Sequence, residues 1–191
     1  MIGAILTQAT SWLNAEKAID NLRKADCLEP GKVRAIPLNT LASLIYPSVY
    51  YNKKAKALKS MANFTGNFYQ DNFKNMANIP TRVIRSQLLG LNGLGNETVD
   101  DILLYALGHP VFVIDSYTRR LFSRLGRGGA RQSYLKLQHS ITQELPIKTK
   151  IYSEYHALID VQCKNTCKKE PLCNKCCLRG LCEFRLQKSI M

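Results

Sequence analysis

The chain has 191 residues, enough to bury a core in one medium domain or two small lobes. Hydrophobic residues make up 46% of it, which excludes a disordered chain, and no apolar run reaches the roughly 18 residues that a membrane span requires. Lys and Arg number 27 against 14 Asp and Glu, a net charge of +13, so the expected partner is a polyanion bound through its phosphates. A merely basic surface, or one that meets anionic membranes, would show the same balance, so charge alone names no reaction.

The pattern is helical from the first residues. Apolar positions recur at three-to-four spacing from Ile2 to Ile19, Leu38 to Ile45, Ala55 to Phe64 and Val99 to Leu107, with Pro and Gly between them. Strand-like alternation is confined to Val111–Ile114, so the expected fold class is all-α. No cap or turn precedes the first helical stretch, which leaves two alternatives: an upstream start or the loss of a leading helix. Met1 to Leu6 is apolar but lacks the basic leader and small-residue cleavage site of a signal peptide, so the expected location is the cytoplasm or nucleoid.

Arg82 to Leu91 carries one apolar helical face, which breaks at Asn92-Gly93-Leu94-Gly95-Asn96 and resumes from Glu97 to Leu107. This is helix, tight hairpin, helix. The two glycines are expected to turn at positive φ and to let a phosphate approach the unpaired N–H groups opening the second helix, while Leu94 plugs the hairpin into the core. Any pair of antiparallel helices can use glycine at its turn, so the hairpin alone is not diagnostic. Downstream, Ile114-Asp115-Ser116-Tyr117-Thr118-Arg119-Arg120 sets a carboxylate at the end of an apolar run and beside two cations. Asp115 also reads as the N-cap of a helix from Ser116 to Leu125, a role that would hold its carboxylate rigidly.

Together, Leu91-x-Gly93-Leu94-Gly95-x-Glu97-Thr98-Val99 and Val113-Ile114-Asp115 resemble the hairpin and catalytic loop of the helix-hairpin-helix DNA glycosylases, the endonuclease III superfamily. Leu6-Thr7-Gln8-Ala9-Thr10 is similar to that family's helix whose Gln fills the gap left by an extruded nucleotide, and Tyr51-Asn52-x-Lys54-Ala55 to a segment between the two. The resemblance implies a base-excision enzyme acting, as a monomer, on double-stranded DNA that holds a damaged base. Asp115 would be its catalytic group, Asn92, Gly93, Leu94, Gly95, Lys53, Lys54 and Arg119 its DNA contacts, and Gln8, Trp12, Tyr51 and Glu97 the gap and base pocket.

Bifunctional members carry, two positions after the second hairpin glycine, a lysine whose amine attacks the sugar. This chain has Glu97 there, and a carboxylate forms no Schiff base, so lyase activity is expected to be absent. Glu97 also suits the positive end of a helix. The string Glu97, Thr98, Asp100, Asp101, Ile102, Leu103, Tyr105 resembles the branch typified by 3-methyladenine DNA glycosylase III, which implies hydrolytic release of alkylated purines. Such bases are already cationic and leave without strong acid assistance. Trp12, the single tryptophan, lies one expected helical turn beyond Gln8 and is the candidate to stack on a cationic base, a contact of about 0.5–2 kcal/mol, although a lone helical tryptophan also suits a core. Tyr50 is a further pocket candidate, and Lys56 a further phosphate contact.

Six of the seven cysteines fall within the last stretch, a metal pattern and not a disulfide framework. Cys167-x5-Cys173-x2-Cys176-x5-Cys182 suits either a [4Fe–4S] cluster or tetrahedral zinc. The resemblance favours the cluster, since its members often end in Cys-x6-Cys-x2-Cys-x5-Cys. The first gap here is one residue shorter, which leaves Cys163 as an alternative first ligand; Cys177 reads as a spare thiol. Lys164, Lys168, Lys169, Lys175, Arg179 and Arg185 around the loop would meet phosphates.

The expected architecture is a helical barrel lobe over residues 1–110 with the hairpin, and a C-terminal helical lobe over 111–191 with Asp115 and the cysteine loop. Two other readings fit the same residues: a glycosylase for uracil, mismatched thymine or oxidised pyrimidine, and a non-catalytic DNA-binding module with a zinc loop.

Overall fold

A computed structural model describes residues 1–129 and 132–188, with no side-chain description at 188. It is all-α, with no strand among the described residues. Backbone contacts divide the chain into two compact units, Met1–His109 and Pro110–Met191.

The first unit runs α1 (Ile2–Leu6), α2 (Trp12–Lys24), α3 (Pro30–Ala35), α4 (Leu38–Leu44), a 3-10 turn (Tyr46–Ser48), α5 (Tyr51–Tyr69), α6 (Phe73–Ala77), α7 (Thr81–Leu89) and α8 (Asn96–Asp101). Helix α5 is its axis: α1, α3, α4 and α6 all pack on it. Its Ala55, Ala57, Leu58, Met61, Ala62 and Phe64 are buried, and the small residues among them let neighbouring helices come close. Beyond Asp101 the helix widens into a π-helical turn, Ile102–Ala106, so the expected helix to Leu107 is regular only in its first half.

The stretch from Ile2 to Ile19 is not one helix. It breaks after Leu6, where Thr7 returns its hydroxyl to the Gly3 carbonyl at 2.9 Å and Ala9 takes a left-handed φ of 51°. Ser11 then caps α2 by accepting from the Asn14 N–H.

The second unit comprises α9 (Ser116–Arg124), α10 (Tyr134–Thr142), α11 (Thr149–Asn165), a 3-10 turn (Cys173–Lys175) and α12 (Glu183–Lys188). Val111 to Ile114 is irregular rather than a strand, yet Phe112, Val113 and Ile114 are buried. Helix α10 partners two of its backbone groups: the Gln138 amide donates to the Phe112 carbonyl at 2.6 Å, and the Ile114 N–H donates to the Tyr134 hydroxyl at 3.2 Å. No helix of the described residues is long and apolar enough to cross a membrane.

Candidate active site and nucleic-acid interface

The hairpin joins α7 to α8, and its two glycines differ. Gly93 has φ +86°, and a Cβ there would lie 3.0 Å from the Ala57 Cβ on α5, so both the turn and the close packing need glycine. Gly95, expected at positive φ as well, is extended (φ −99°, ψ 177°) and forms the N-cap of α8. Nothing lies within 4 Å of a Cβ built on it. Its bareness keeps space open above the first turn of α8. Leu94 is buried between them, as expected of a plug, and Asn92 is exposed.

Gln8 follows α1 in the broken segment, and its amide donates to the Gly93 carbonyl at 3.0 Å and to the Thr98 hydroxyl at 2.8 Å. The gap-filling candidate is thus tied to both halves of the hairpin. A second clamp was not singled out from the sequence. Arg85 on α7 donates from Nε to Asp100 Oδ1 at 2.7 Å, and from Nη2 to Asp100 Oδ2 at 3.1 Å and Asn96 Oδ1 at 2.9 Å. Glu97 occupies the first turn of α8 and is exposed.

Trp12 is 56% exposed at the start of α2, so it is not a core tryptophan, but the break after Leu6 removes the continuous helix that was to link it to Gln8. Tyr51 is half-buried and its ring stands 5.0 Å from that of Tyr46, a largely exposed residue that the sequence reading passed over. Between them, Val49 and Tyr50 both adopt positive φ, 60° and 49°, an uncommon pair for residues with side chains.

Lys53 and Lys56 are exposed, but Lys54 corrects its expected role as a phosphate contact. It is 2% exposed, and its ammonium donates to the Leu6 carbonyl at 2.8 Å and, in a very short contact, to the Ser48 carbonyl. Burial lowers its pKa to about 8. The cause lies in the helical period: Lys54 shares a face with Ala57, Leu58 and Met61, which are buried.

In the second unit Asp115 is the N-cap of α9: Oδ1 accepts from the Thr118 N–H at 2.7 Å. Its Oδ2 lies 3.8 Å from His156 Nε2 on α11, with side-chain exposures of 18% and 13%. Burial pushes the imidazole pKa down, against the opposing pull of Asp115 and Asp160. His156 has no recognisable signal in the sequence, being one residue of an ordinary amphipathic helix. Arg119, expected at a phosphate, directs Nη1 to the Gly129 and Gln132 carbonyls at 3.2 and 3.0 Å. Gly129 itself lies at φ +116°.

Arg120 and Arg124 hold the cysteine loop. Arg120 donates to the Cys167 and Cys163 carbonyls, and Arg124 to the Lys168 and Lys169 carbonyls and to Cys167 Sγ at 3.2 Å. Cys167, Cys173, Cys176 and Cys182 line one cavity, whose other walls include Leu121, Leu125 and Phe184. A hydrogen bond from Cys163, reinforced by Arg124, lowers the Cys167 pKa to about 5, and the same bond pushes Cys163 up. Gln162 donates to Cys176 Sγ at 3.1 Å. No group of three or more His, Cys, Asp or Glu among the described residues is gathered tightly enough to hold a single metal ion. Four thiols around one apolar cavity, with donors aimed at two of the sulfurs, nevertheless have the chemistry of a thiolate-bound cluster site.

An all-α fold with a glycine hairpin, a capped aspartate and a terminal cysteine loop defines a class, and the family model described as HhH-GPD superfamily base excision DNA repair protein matches residues 2–146. The chain belongs to that superfamily. It is a base-excision DNA glycosylase of the endonuclease III type. It is 44% identical over 184 residues to a Methanocaldococcus jannaschii protein, MJ1434, named as a DNA repair glycosylase, covering 95% of this chain and 83% of that one. It resembles the structure of the H. pylori 3-methyladenine DNA glycosylase bound to 1,N6-ethenoadenine, with a TM-score of 0.76 and 30% identity over 84% of this chain and 81% of that one. A non-covalent endonuclease III–DNA complex shares the fold with a TM-score of 0.84 at 22% identity, covering 100% of this chain and 84% of that one.

Proposed function

We propose that this glycosylase is monofunctional and hydrolyses the N-glycosidic bond of alkylated purines, with 3-methyladenine as the type substrate, in double-stranded DNA. The observation that carries the reading is Glu97: the first turn of α8 presents a carboxylate where the superfamily resemblance implies that a lyase carries its amine. The purine preference is supported by the likeness to the 3-methyladenine glycosylase and by exposed aromatics, Trp12 and Tyr46, that can stack on a cationic base.

In this mechanism the hairpin holds the backbone and the damaged nucleotide is extruded. The C1′–N bond breaks with its electron pair leaving on the base, and the cationic sugar that develops is stabilised by the Asp115 anion. Water then forms the C1′–O bond while Asp115 accepts its proton. The enzyme acts as a monomer. Cys167, Cys173, Cys176 and Cys182 would hold a [4Fe–4S] cluster, which would staple the basic loop and take no part in hydrolysis, a reaction without electron transfer.

Purified protein incubated with duplexes that each hold one lesion, with and without later alkali, tests the reading. Release of 3-methyladenine, with nicks only after alkali, is expected. Direct nicking, or a protein–DNA adduct trapped by borohydride, overturns the monofunctional claim, and release confined to uracil or oxidised pyrimidine overturns the substrate.

A further inference from the structure

Asp115 has two carboxylate oxygens and only one is fixed by its own helix. Oδ1 accepts the Thr118 N–H at 2.7 Å, whereas Oδ2 looks towards His156 Nε2 at 3.8 Å. Both side chains are largely withdrawn from solvent, so their mutual field is only weakly screened. The imidazole is walled on one side by the buried Phe112 ring, edge-on at 6.3 Å between centroids, and that ring is held in turn by Tyr152 and Tyr155 at 5.7 and 5.6 Å. Among the described residues, the carboxylates that bear on His156 include Asp115 from the α9 cap and Asp160 one turn along α11. The cations of α9 are directed elsewhere: Arg119 to the Gly129 and Gln132 carbonyls, Arg120 to those of Cys163 and Cys167, Arg124 to those of Lys168 and Lys169. His156 therefore faces a carboxylate with both side chains largely withdrawn from solvent, yet burial prevails over both anions and favours the neutral ring.

We propose that His156 is a positioning residue for Asp115: its Nε2–H closes onto Oδ2 when damaged DNA is bound, so that each carboxylate oxygen has its own donor and the anion is aimed at the sugar. The inference rests on the reading of Asp115 as the group that acts at the sugar. Closure from 3.8 Å to about 3 Å is a small side-chain adjustment, and catalytic hydrogen bonds commonly tighten in this way on substrate binding. A neutral donor serves the role better than an imidazolium would. It fixes the carboxylate without cancelling the negative charge that the developing sugar cation needs.

The test uses the full chain and the variants Asp115→Asn, His156→Ala and His156→Gln. The three histidines, His109, His139 and His156, are first titrated by NMR in wild type and Asp115→Asn. Loss of the facing carboxylate lowers the His156 pKa, because Asp115 is one of the groups that raise it, with His109 and His139 unmoved. An unmoved His156 overturns the proposal whatever the protein's activity. Single-turnover release of methylpurines from dimethyl sulfate-treated duplex is then compared with affinity for a duplex holding an abasic-site analogue. His156→Ala slows release roughly 10- to 100-fold and changes affinity less than about twofold. His156→Gln, which returns an amide N–H at similar reach, recovers most of the rate. A His156→Ala rate equal to wild type, or a Gln variant no better than Ala, overturns the proposal. Wild type that releases no methylpurine while His156 responds to Asp115→Asn supports the pairing and overturns the substrate reading instead.

Discussion

Arg85 and Asp100 lock the two helices of the hairpin together through a bidentate pair in which the carboxylate is fully buried and the guanidinium only partly so. The two ends of this pair are unequal. Arg85→Met deprives a buried anion of its counter-charge, and a cost of about 3–5 kcal/mol is expected for breaking such a pair. Asp100→Asn keeps an oxygen for the guanidinium, which itself reaches solvent, so it costs less. Urea unfolding of both variants checks the order, and an Asn variant less stable than the Met variant would contradict this account.

Gly93 and Gly95 separate folding from binding. Gly93→Ala places a Cβ at φ +86° and 3.0 Å from Ala57, so it loses stability, by about 1–2 kcal/mol for the left-handed conformation alone. Gly95→Ala meets an extended backbone and open space, so its melting temperature stays close to that of wild type. Its methyl group stands where the hairpin would receive a phosphate, and DNA affinity falls. Melting curves and binding to an abasic-analogue duplex, measured on both variants, read the two effects apart. Equal affinity of Gly95→Ala and wild type would remove Gly95 from the interface.

The helical class, the hairpin and the capping role of Asp115 were legible because each is local: a period of apolar residues, a pair of glycines, an acid ahead of a helix. The rest depends on residues far apart in the chain. No Gly or Pro announces the break after Leu6; it is consolidated by the Gln8 amide reaching Gly93 and Thr98 and by the Ser11 cap. Two glycines one residue apart looked equivalent, yet only Gly93 turns left-handed, because only Gly93 packs against α5. Lys54 was misplaced for a different reason: its charge outweighed its period, although Ala57, Leu58 and Met61 mark its face as the buried one. His156 meets Asp115 only through the packing of α11 on α9, which nothing in either segment announces.

Buried Lys54 makes stability depend on alkaline pH. Its ammonium releases its proton at about 8 in the folded chain, against an ordinary value of 10.5. Between those values the unfolded chain holds a proton that the folded chain has lost, so stability rises with pH across that window. Below about 8 both states are protonated and the contribution is a constant penalty for burying the charge. The free energy of unfolding of wild type minus that of Lys54→Met should therefore be level at neutral pH and climb from about 8 to 10.5. Taking the difference cancels the titration of the other lysines, tyrosines and cysteines. A difference that stays flat across the window would show that the folded chain keeps its ammonium, held by the Leu6 and Ser48 carbonyls.

Cys163 and Cys167 are the two candidates for the first ligand of the proposed cluster, and the structure gives them different surroundings. Cys167 lines the cavity with Cys173, Cys176 and Cys182 and receives Arg124 at its sulfur. Cys163 is buried on α11, with its sulfur 3.5 Å from the Tyr117 carbonyl and outside that cavity's lining. The thiolate is the metal-binding form, and a guanidinium donor favours it at Cys167. Cys167→Ser is therefore expected to yield colourless protein with little iron. Cys163→Ser, which keeps a hydroxyl donor beside Cys167, is expected to remain brown with about four iron atoms per chain. Iron and zinc analysis with visible spectra distinguishes the outcomes: a colourless wild type rich in zinc would remove the cluster, and a colourless Cys163→Ser beside a brown Cys167→Ser would exchange the two ligands. Loss of the cluster should also loosen the basic loop at Lys168, Lys169 and Lys175. Binding to undamaged duplex then weakens and its salt dependence becomes shallower, because fewer phosphates are neutralised.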